Sequence, residues 1–407
     1  MKEIMNLDRN IKLRLLVLLI TELTGYAIAG NLVVYYIHYF DKFTAGILLM
    51  IASISNFLSS LYGGHFSDEK GRKSAIKLGL TLAVFGDLFA AVFNSPFGNF
   101  PRLTFLMFLL GGVGFNFAMP AFEAVIIDIT TLKNREFVYS LVYWIQNISI
   151  TLGAAIGAWL FRDYLFQLLL IVLLGTIVGW ILSVVYMDET KPISEKFSNV
   201  RILDVIKGYK EVLKDRRYVT FIIGAVCSTI IFIQPDYSLA THLVQDFKTI
   251  SFLGIEIYGQ RMLSIVVMVN AVSIVLLVFL LKQITKNWTI LKRYVFGAFF
   301  HGLGFMLVML SDKMLPIVIF SVVFTIGEMI NIPAAQSIRA QLMNPKKIGT
   351  YSGVFSAVIP IAQLIASMIV SESAFFGNIS VVIFLLIFTL SRCFLTIKAV
   401  KMPSSHL

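Results

Sequence analysis

Four carboxylates stand in stretches of the chain that are otherwise apolar: Glu22, Glu123, Asp236 and Glu328. An ionised side chain at the centre of a bilayer costs roughly 2.5–3.5 kcal/mol or more, so each of them needs an explanation. A carboxyl group in a low-dielectric cavity holds a proton more readily than one in water, and when ionised it can hold a cation. Proton and cation then compete for one site, which is sufficient for antiport under alternating access. The alternative for each is a carboxyl hydrogen-bonded to a neighbouring helix with no part in transport. Neutral polar groups accompany them: Asn116, then Tyr143, Trp144, Gln146 and Asn147, and Gln234 beside Asp236. These suit a wide apolar cavity with a few polar contacts, or hydrogen bonds between helices.

A second group of charges lies at the ends of apolar stretches. The run Gly64-His65-Phe66-Ser67-Asp68-Glu69-Lys70-Gly71-Arg72-Lys73 has the frame G-x-x-x-D-x-x-G-R-K. It forms a tight, charged, glycine-bounded link between two membrane helices. Asp128 ends a later apolar stretch, Ile126-Ile127-Asp128. An Arg72–Asp128 ion pair between neighbouring helices would close the inner face in one state and break in the other. A solvated pair contributes under about 1 kcal/mol, so its value lies in biasing two states.

The elements that carry these residues follow from composition. The 407 residues are 58% hydrophobic and only 14% charged, against roughly 25% charged in soluble domains. Continuous apolar runs of about 20 residues predict an all-α membrane protein and exclude a β-barrel of alternating short segments. Twelve spans are expected, near 13–37, 44–66, 74–94, 103–127, 137–161, 164–187, 218–244, 262–283, 290–310, 315–338, 349–372 and 377–398. The first run, from Leu13, reads as an uncleaved span and not as a signal peptide. A polar stretch from Asp188 to Arg217 divides the spans six and six, as paired repeats of a transporter require. The expected domains are a six-helix bundle over 1–190, a linker over 191–217 and a second six-helix bundle over 218–407. Apolar residues Ile202, Val205, Ile206, Tyr209, Val212 and Leu213 recur at helical spacing in the linker and suggest an amphipathic helix. Pro235 is expected to kink its span, and Pro120, Pro333 and Pro360 to interrupt theirs. Gly153 and Gly157 give span 5 a small-residue face for close helix packing.

Lysine and arginine fall 28 to 6 on the two sides of this topology. That split places both termini in the cytoplasm and accounts for the net charge of +11 without nucleic acid. Cys227 and Cys393 both lie in apolar spans, the five histidines lack ligand spacing, and no metal site is expected. No nucleophile motif, metalloprotease motif or phosphate-binding loop is present, which argues against an enzyme.

Gly64, Asp68, Gly71, Arg72 and Lys73 match the loop 2–3 signature of the major facilitator superfamily, and the chain resembles that family over essentially its whole length. Longer stretches, among them Tyr143-Trp144-Ile145-Gln146-Asn147, Glu256-Ile257-Tyr258-Gly259-Gln260-Arg261 and Met343-Asn344-Pro345-Lys346-Lys347-Ile348-Gly349, are similar to multidrug/proton antiporters of the lactococcal type. The resemblance implies the twelve-helix major facilitator fold and a proton-driven exporter of lipophilic, often cationic compounds. It implies that Asp68 and Asp128 form a conformational switch, that Asp236 and Glu328 serve substrate and proton, and that Arg261 opens span 8. This chain departs from the pattern in three places. Val142 and the run Leu390-Ser391-Arg392 stand where an acid is expected in spans 5 and 12, and Ala158 replaces a motif proline. Glu22 and Glu123 are extra, and are expected to substitute in part for the missing acids. The alternative is a carrier or flippase for one endogenous metabolite or glycolipid. No cofactor is expected beyond the proton gradient. The expected partners are small lipophilic substrates, protons and membrane lipids, with the chain a monomer in the cell membrane.

Overall fold

The computed structural model describes residues 7–130, 135–190, 210–252, 254–344 and 348–403. The described chain divides into two compact units, one of residues 1–39 and 48–194, the other of residues 40–47 and 195–407.

The first unit is built from α1 (Arg9–Ala29), α2 (Leu32–Tyr39), most of α3 (Lys42–Lys70), α4 (Arg72–Val92), α5 (Pro101–Ile129), α6 (Arg135–Leu160) and α7 (Leu165–Ile181). A π-helical turn, Leu182–Tyr186, continues α7. Asp8 caps α1, its carboxylate accepting the Asn10 N–H at 2.7 Å. The expected first span is interrupted by a turn at Gly30 and Asn31. Helix α4 packs against α5 and α7, and α1 against α6 and α7. Gly153 and Gly157 face the carbonyls of Leu23 and Ala27 and set the α1–α6 approach. The core lies where α1, α4 and α5 meet, around Val17, Ile76, Leu80, Phe117 and Phe122. Such packing rests on close van der Waals contact, since lipid tails are as apolar as the side chains.

The second unit holds α8 (Arg216–Phe232), α9 (Ser238–Asp246), α10 (Gly259–Thr285), α11 (Ile290–Met309), α12 (Met314–Leu342), α13 (Ile348–Phe355), α14 (Val358–Phe376) and α15 (Asn378–Lys401). Helix α11 packs on α12 and α15, and α8 on α15 and α14. Asp215 caps α8 by accepting the N–H groups of Arg217 and Tyr218, at 3.1 and 3.2 Å. The Tyr351 hydroxyl donates to the same carboxylate at 2.8 Å and ties α13 to α8. The start of α3 belongs to this unit: the Ser371 hydroxyl donates to the Phe43 carbonyl at 3.0 Å.

Among the described residues, ten helical segments are long and apolar enough to cross a bilayer. The other two expected spans are helical but differ in kind. Span 7 is broken between α8 and α9 by a 3-10 turn, Gln234–Asp236, with Pro235 inside it. Span 9 is α11, which carries Lys292 and Arg293 near its start. The other prolines behave differently from expectation. Helices α5 and α12 run unbroken through Pro120 and Pro333. Pro360 sits in the first turn of α14, where a missing N–H costs nothing, and the break falls just before it at Ser356 and Ala357. Two short antiparallel hairpins, not foreseen from the sequence, join helices. One pairs β1 (Asn94–Ser95) with β2 (Gly98–Asn99), with Asn94 opposite Asn99. The other pairs β3 (Ile250–Phe252) with β4 (Ile255–Ile257), with Ile250 opposite Ile257. Most of the expected amphipathic linker helix lies outside the described residues, and only 210–214 are seen, as helix.

Candidate functional site

The charged turn after α3 is a closed network. Arg72 Nη1 meets Asp68 at 2.5 Å and donates to Ser67 Oγ at 3.1 Å, while Nε reaches Asp128 Oδ2 at 3.2 Å. The Arg72 and Asp128 side chains are 15% and 14% exposed, against 71% for Asp68. The inter-helix pair expected between α4 and α5 is therefore the sheltered one. Glu189, which the sequence reading did not single out, completes the network: its carboxylate accepts the Arg72 and Lys73 N–H groups at 2.9 and 3.0 Å. Thr190 Oγ1 donates to Asp128 at 3.3 Å. Gly71 has φ +97°, which favours glycine, and a Cβ there would lie 2.5 Å from Glu189. A Cβ on Gly63 would lie 2.1 Å from the Phe117 carbonyl, whereas one on Gly64 makes only ordinary contact with Pro120.

The membrane carboxylates fall into separate settings. Glu328 on α12 accepts from Asn270 Nδ2 of α10 at 2.8 Å, and the same amide donates to Thr325 Oγ1 at 3.1 Å. Asp236 ends the 3-10 turn and is exposed. Beside it Gln234 is fully buried, and neither of its amide atoms has a partner among the described residues. In the other unit, Glu22 and Glu123 lie within electrostatic reach of one another and of Arg14. Arg14 counted as a terminal charge in the sequence reading, but it is 2% exposed and stacks over Phe122 at 4.3 Å. Asn116 bonds within its own helix, to the Gly112 carbonyl at 2.9 Å. Gln146 is half-buried and Asn147 exposed on α6. Arg261 opens α10, stacks over Tyr258 at 4.6 Å and donates to the Glu256 carbonyl at 2.6 Å.

Two further groups were missed. Asp87 on α4 accepts from Thr176 Oγ1 of α7 at 2.6 Å. Arg392 on α15 is completely buried, although the sequence reading placed it with the cytoplasmic charges. No group of three or more His, Cys, Asp or Glu side chains arranged to hold a metal ion occurs among the described residues.

The family profile described as "Major Facilitator Superfamily" matches residues 15–367. The chain belongs to that superfamily. It is a membrane transporter and not an enzyme, and the two-unit helical architecture is that of its family. A Na(+), Li(+), K(+)/H(+) antiporter of Planococcus maritimus is 28% identical over 384 residues, covering 91% of each chain. The multidrug resistance protein MdtH of Yersinia enterocolitica is 25% identical over 296 residues, 72% of this chain and 68% of its own length. Among solved structures, a POT family transporter in complex with 5-aminolevulinic acid superposes with a TM-score of 0.72 at 16% identity, covering 96% of this chain and 95% of the other. At that identity the likeness speaks for the fold alone.

Proposed function

We propose that this transporter exports cationic compounds, lipophilic ones among them, in exchange for protons, and that Glu328 is the group on which proton and cation compete. The observation that carries the reading is the setting of Glu328. It stands in the middle of a 29-residue apolar helix, and the hydrogen bond it accepts comes from a neutral amide, Asn270. A carboxylate so placed has no fixed cationic partner among the described residues within ion-pair distance, so a proton or a cationic substrate can take that place. The likeness to multidrug/proton antiporters and to MdtH supports lipophilic cargo. The lysine and arginine distribution supports a chain in the cell membrane with both termini cytoplasmic. With no nucleotide motif, the energy source is the proton gradient.

A second reading, exchange of alkali cations for protons, is favoured by the relative matched over 91% of the chain. The oxygens around Glu328, its own carboxylate with Asn270 and Thr325, are hard donors of the kind such cations take.

The experiment uses everted membrane vesicles acidified inside. On the first reading they accumulate ethidium, and Glu328→Gln abolishes the accumulation. On the second, added Na+ or K+ dissipates the pH gradient, and Glu328→Gln abolishes that response. Unchanged transport of both in Glu328→Gln would overturn the role given to Glu328.

A further inference from the structure

Arg392 is the largest unexplained charge in the second unit. It is completely buried, and its three recorded contacts are all with neutral groups. Nη1 donates to Ser228 Oγ at 3.2 Å and approaches His301 Nδ1 at 3.4 Å, while Nη2 donates to the Ala298 carbonyl. Nε has no partner among the described residues. The ionisable groups facing it are Tyr294, Cys227, Cys393 and His301, with no carboxylate among them. A buried guanidinium without an anion is costly, and the usual remedy is a paired anion.

The structure provides room for one. A cavity of about 200 Å³ between α8, α11 and α12 has Ser228 and His301 in its wall, the same two side chains that hold Arg392. Because Ser228 Oγ accepts from Arg392, its own hydroxyl hydrogen is left to donate. Because His301 Nδ1 lies against a guanidinium that can only donate, the ring proton belongs on Nε2, again a donor. Two neutral donors backed by a full positive charge thus line one wall. Arg339, stacked over Phe355 at 3.9 Å, lies elsewhere in the lining. The rest is largely apolar, with Phe232, Ile332 and Phe355, and no carboxylate is present in it. At about 30 Å³ per water the volume equals some seven waters, enough for an anionic group on one small ring or chain.

We infer that this cavity binds the carboxylate or phosphate of a small amphipathic anion, held by Ser228 and His301 in the field of Arg392. Such an anion has two sources, a solute from the cell or the headgroup of an acidic lipid. Glu328 is not among the residues lining this cavity, and binding can be measured without transport, so the exchange proposed above can fail while this inference stands.

The test uses the purified full chain. Benzoate is expected to raise its melting temperature saturably, and the uncharged isostere benzamide is not. Arg392→Gln should weaken benzoate binding at least about tenfold, because it removes the positive charge behind the two donors. Ala335→Phe fills the cavity and leaves Arg392 in place; it should abolish binding with the protein still folded. Native mass spectrometry in phosphatidylglycerol and phosphatidylcholine separates the sources: retention of phosphatidylglycerol alone, lost in Ala335→Phe, assigns the anion to the lipid. If Arg392→Gln does not fold, Ala335→Phe decides. The inference is overturned if benzoate, inorganic phosphate and phosphatidylglycerol all fail to bind, if benzamide binds as well as benzoate, or if Ala335→Phe binds as the wild type does.

Discussion

Glu189 caps α4 from 117 positions away, its Oε1 accepting the Arg72 N–H at 2.9 Å. The local N-cap residue, Gly71, offers no side chain for this. The acid after the last helix of the first unit thereby fastens the backbone of Arg72, while the next residue, Thr190, donates to the Asp128 carboxylate that holds the same arginine's guanidinium. Glu189→Ala should cost about 1 kcal/mol, the value of an N-cap, and Glu189→Gln less. Thermal unfolding of the two variants checks this, and equal stability of Glu189→Ala and wild type would remove the cap from the account.

The Arg72–Asp128 contact is sheltered but lies at a helix end, so its role should be in state bias more than in stability. A double-mutant cycle with Arg72→Gln and Asp128→Asn should give a coupling below about 1 kcal/mol in unfolding. The same cycle on transport rate should be strongly non-additive, each single change removing most of what the pair does. Additive transport effects would mean that the two residues act independently.

Much of this fold was legible in the sequence because bilayer spans must satisfy every backbone group internally, and twenty-residue apolar runs report that directly. The break at Pro235 was legible for the same reason: proline cannot donate the missing hydrogen bond. Pro120 and Pro333 read alike yet lie inside continuous helices, because neighbouring helices can absorb the lost bond. The arginines show the other limit. Arg14 and Arg392 look like flanking charges when counted by position, and only the three-dimensional packing reveals that both are buried. Glu189 sat in a polar stretch without periodicity, and Asp87 was overlooked among apolar neighbours that gave no sign of Thr176.

Asn270 is the residue that orients Glu328. Asn270→Ala should leave the carboxylate without its amide donor and weaken cation affinity by about tenfold, with the protein still expressed and folded. Concentration dependence of transport in vesicles measures this. Asn270→Ala with wild-type affinity would show that Glu328 is positioned by other groups.

Asp87 should behave in the opposite way. Its carboxylate takes the Thr176 hydroxyl at 2.6 Å and joins α4 to α7. Asparagine keeps an acceptor of the same shape, so Asp87→Asn should transport at close to the wild-type rate. Asp87→Leu removes the acceptor and should destabilise by about 1–3 kcal/mol. Loss of transport in a stably folded Asp87→Asn would instead place Asp87 on the proton path.

Arg14, Glu22 and Glu123 should act as a unit. Arg14 is buried over Phe122 and faces both carboxylates. Removing one member of a buried charge cluster leaves the others uncompensated, and such changes cost about 3–5 kcal/mol. Arg14→Gln should therefore be severe alone and milder when combined with Glu123→Gln, with an interaction energy of about 0.5–3 kcal/mol. If the two acids also stand in for those absent at Val142 and in the run Leu390-Ser391-Arg392, Glu22→Gln with Glu123→Gln should lower the number of protons moved per cation while leaving cation binding measurable. Simultaneous recording of proton and cation flux separates these outcomes. Additive stability losses would show that the three charges do not share a site, and an unchanged proton count would confine their role to holding α1 against α5.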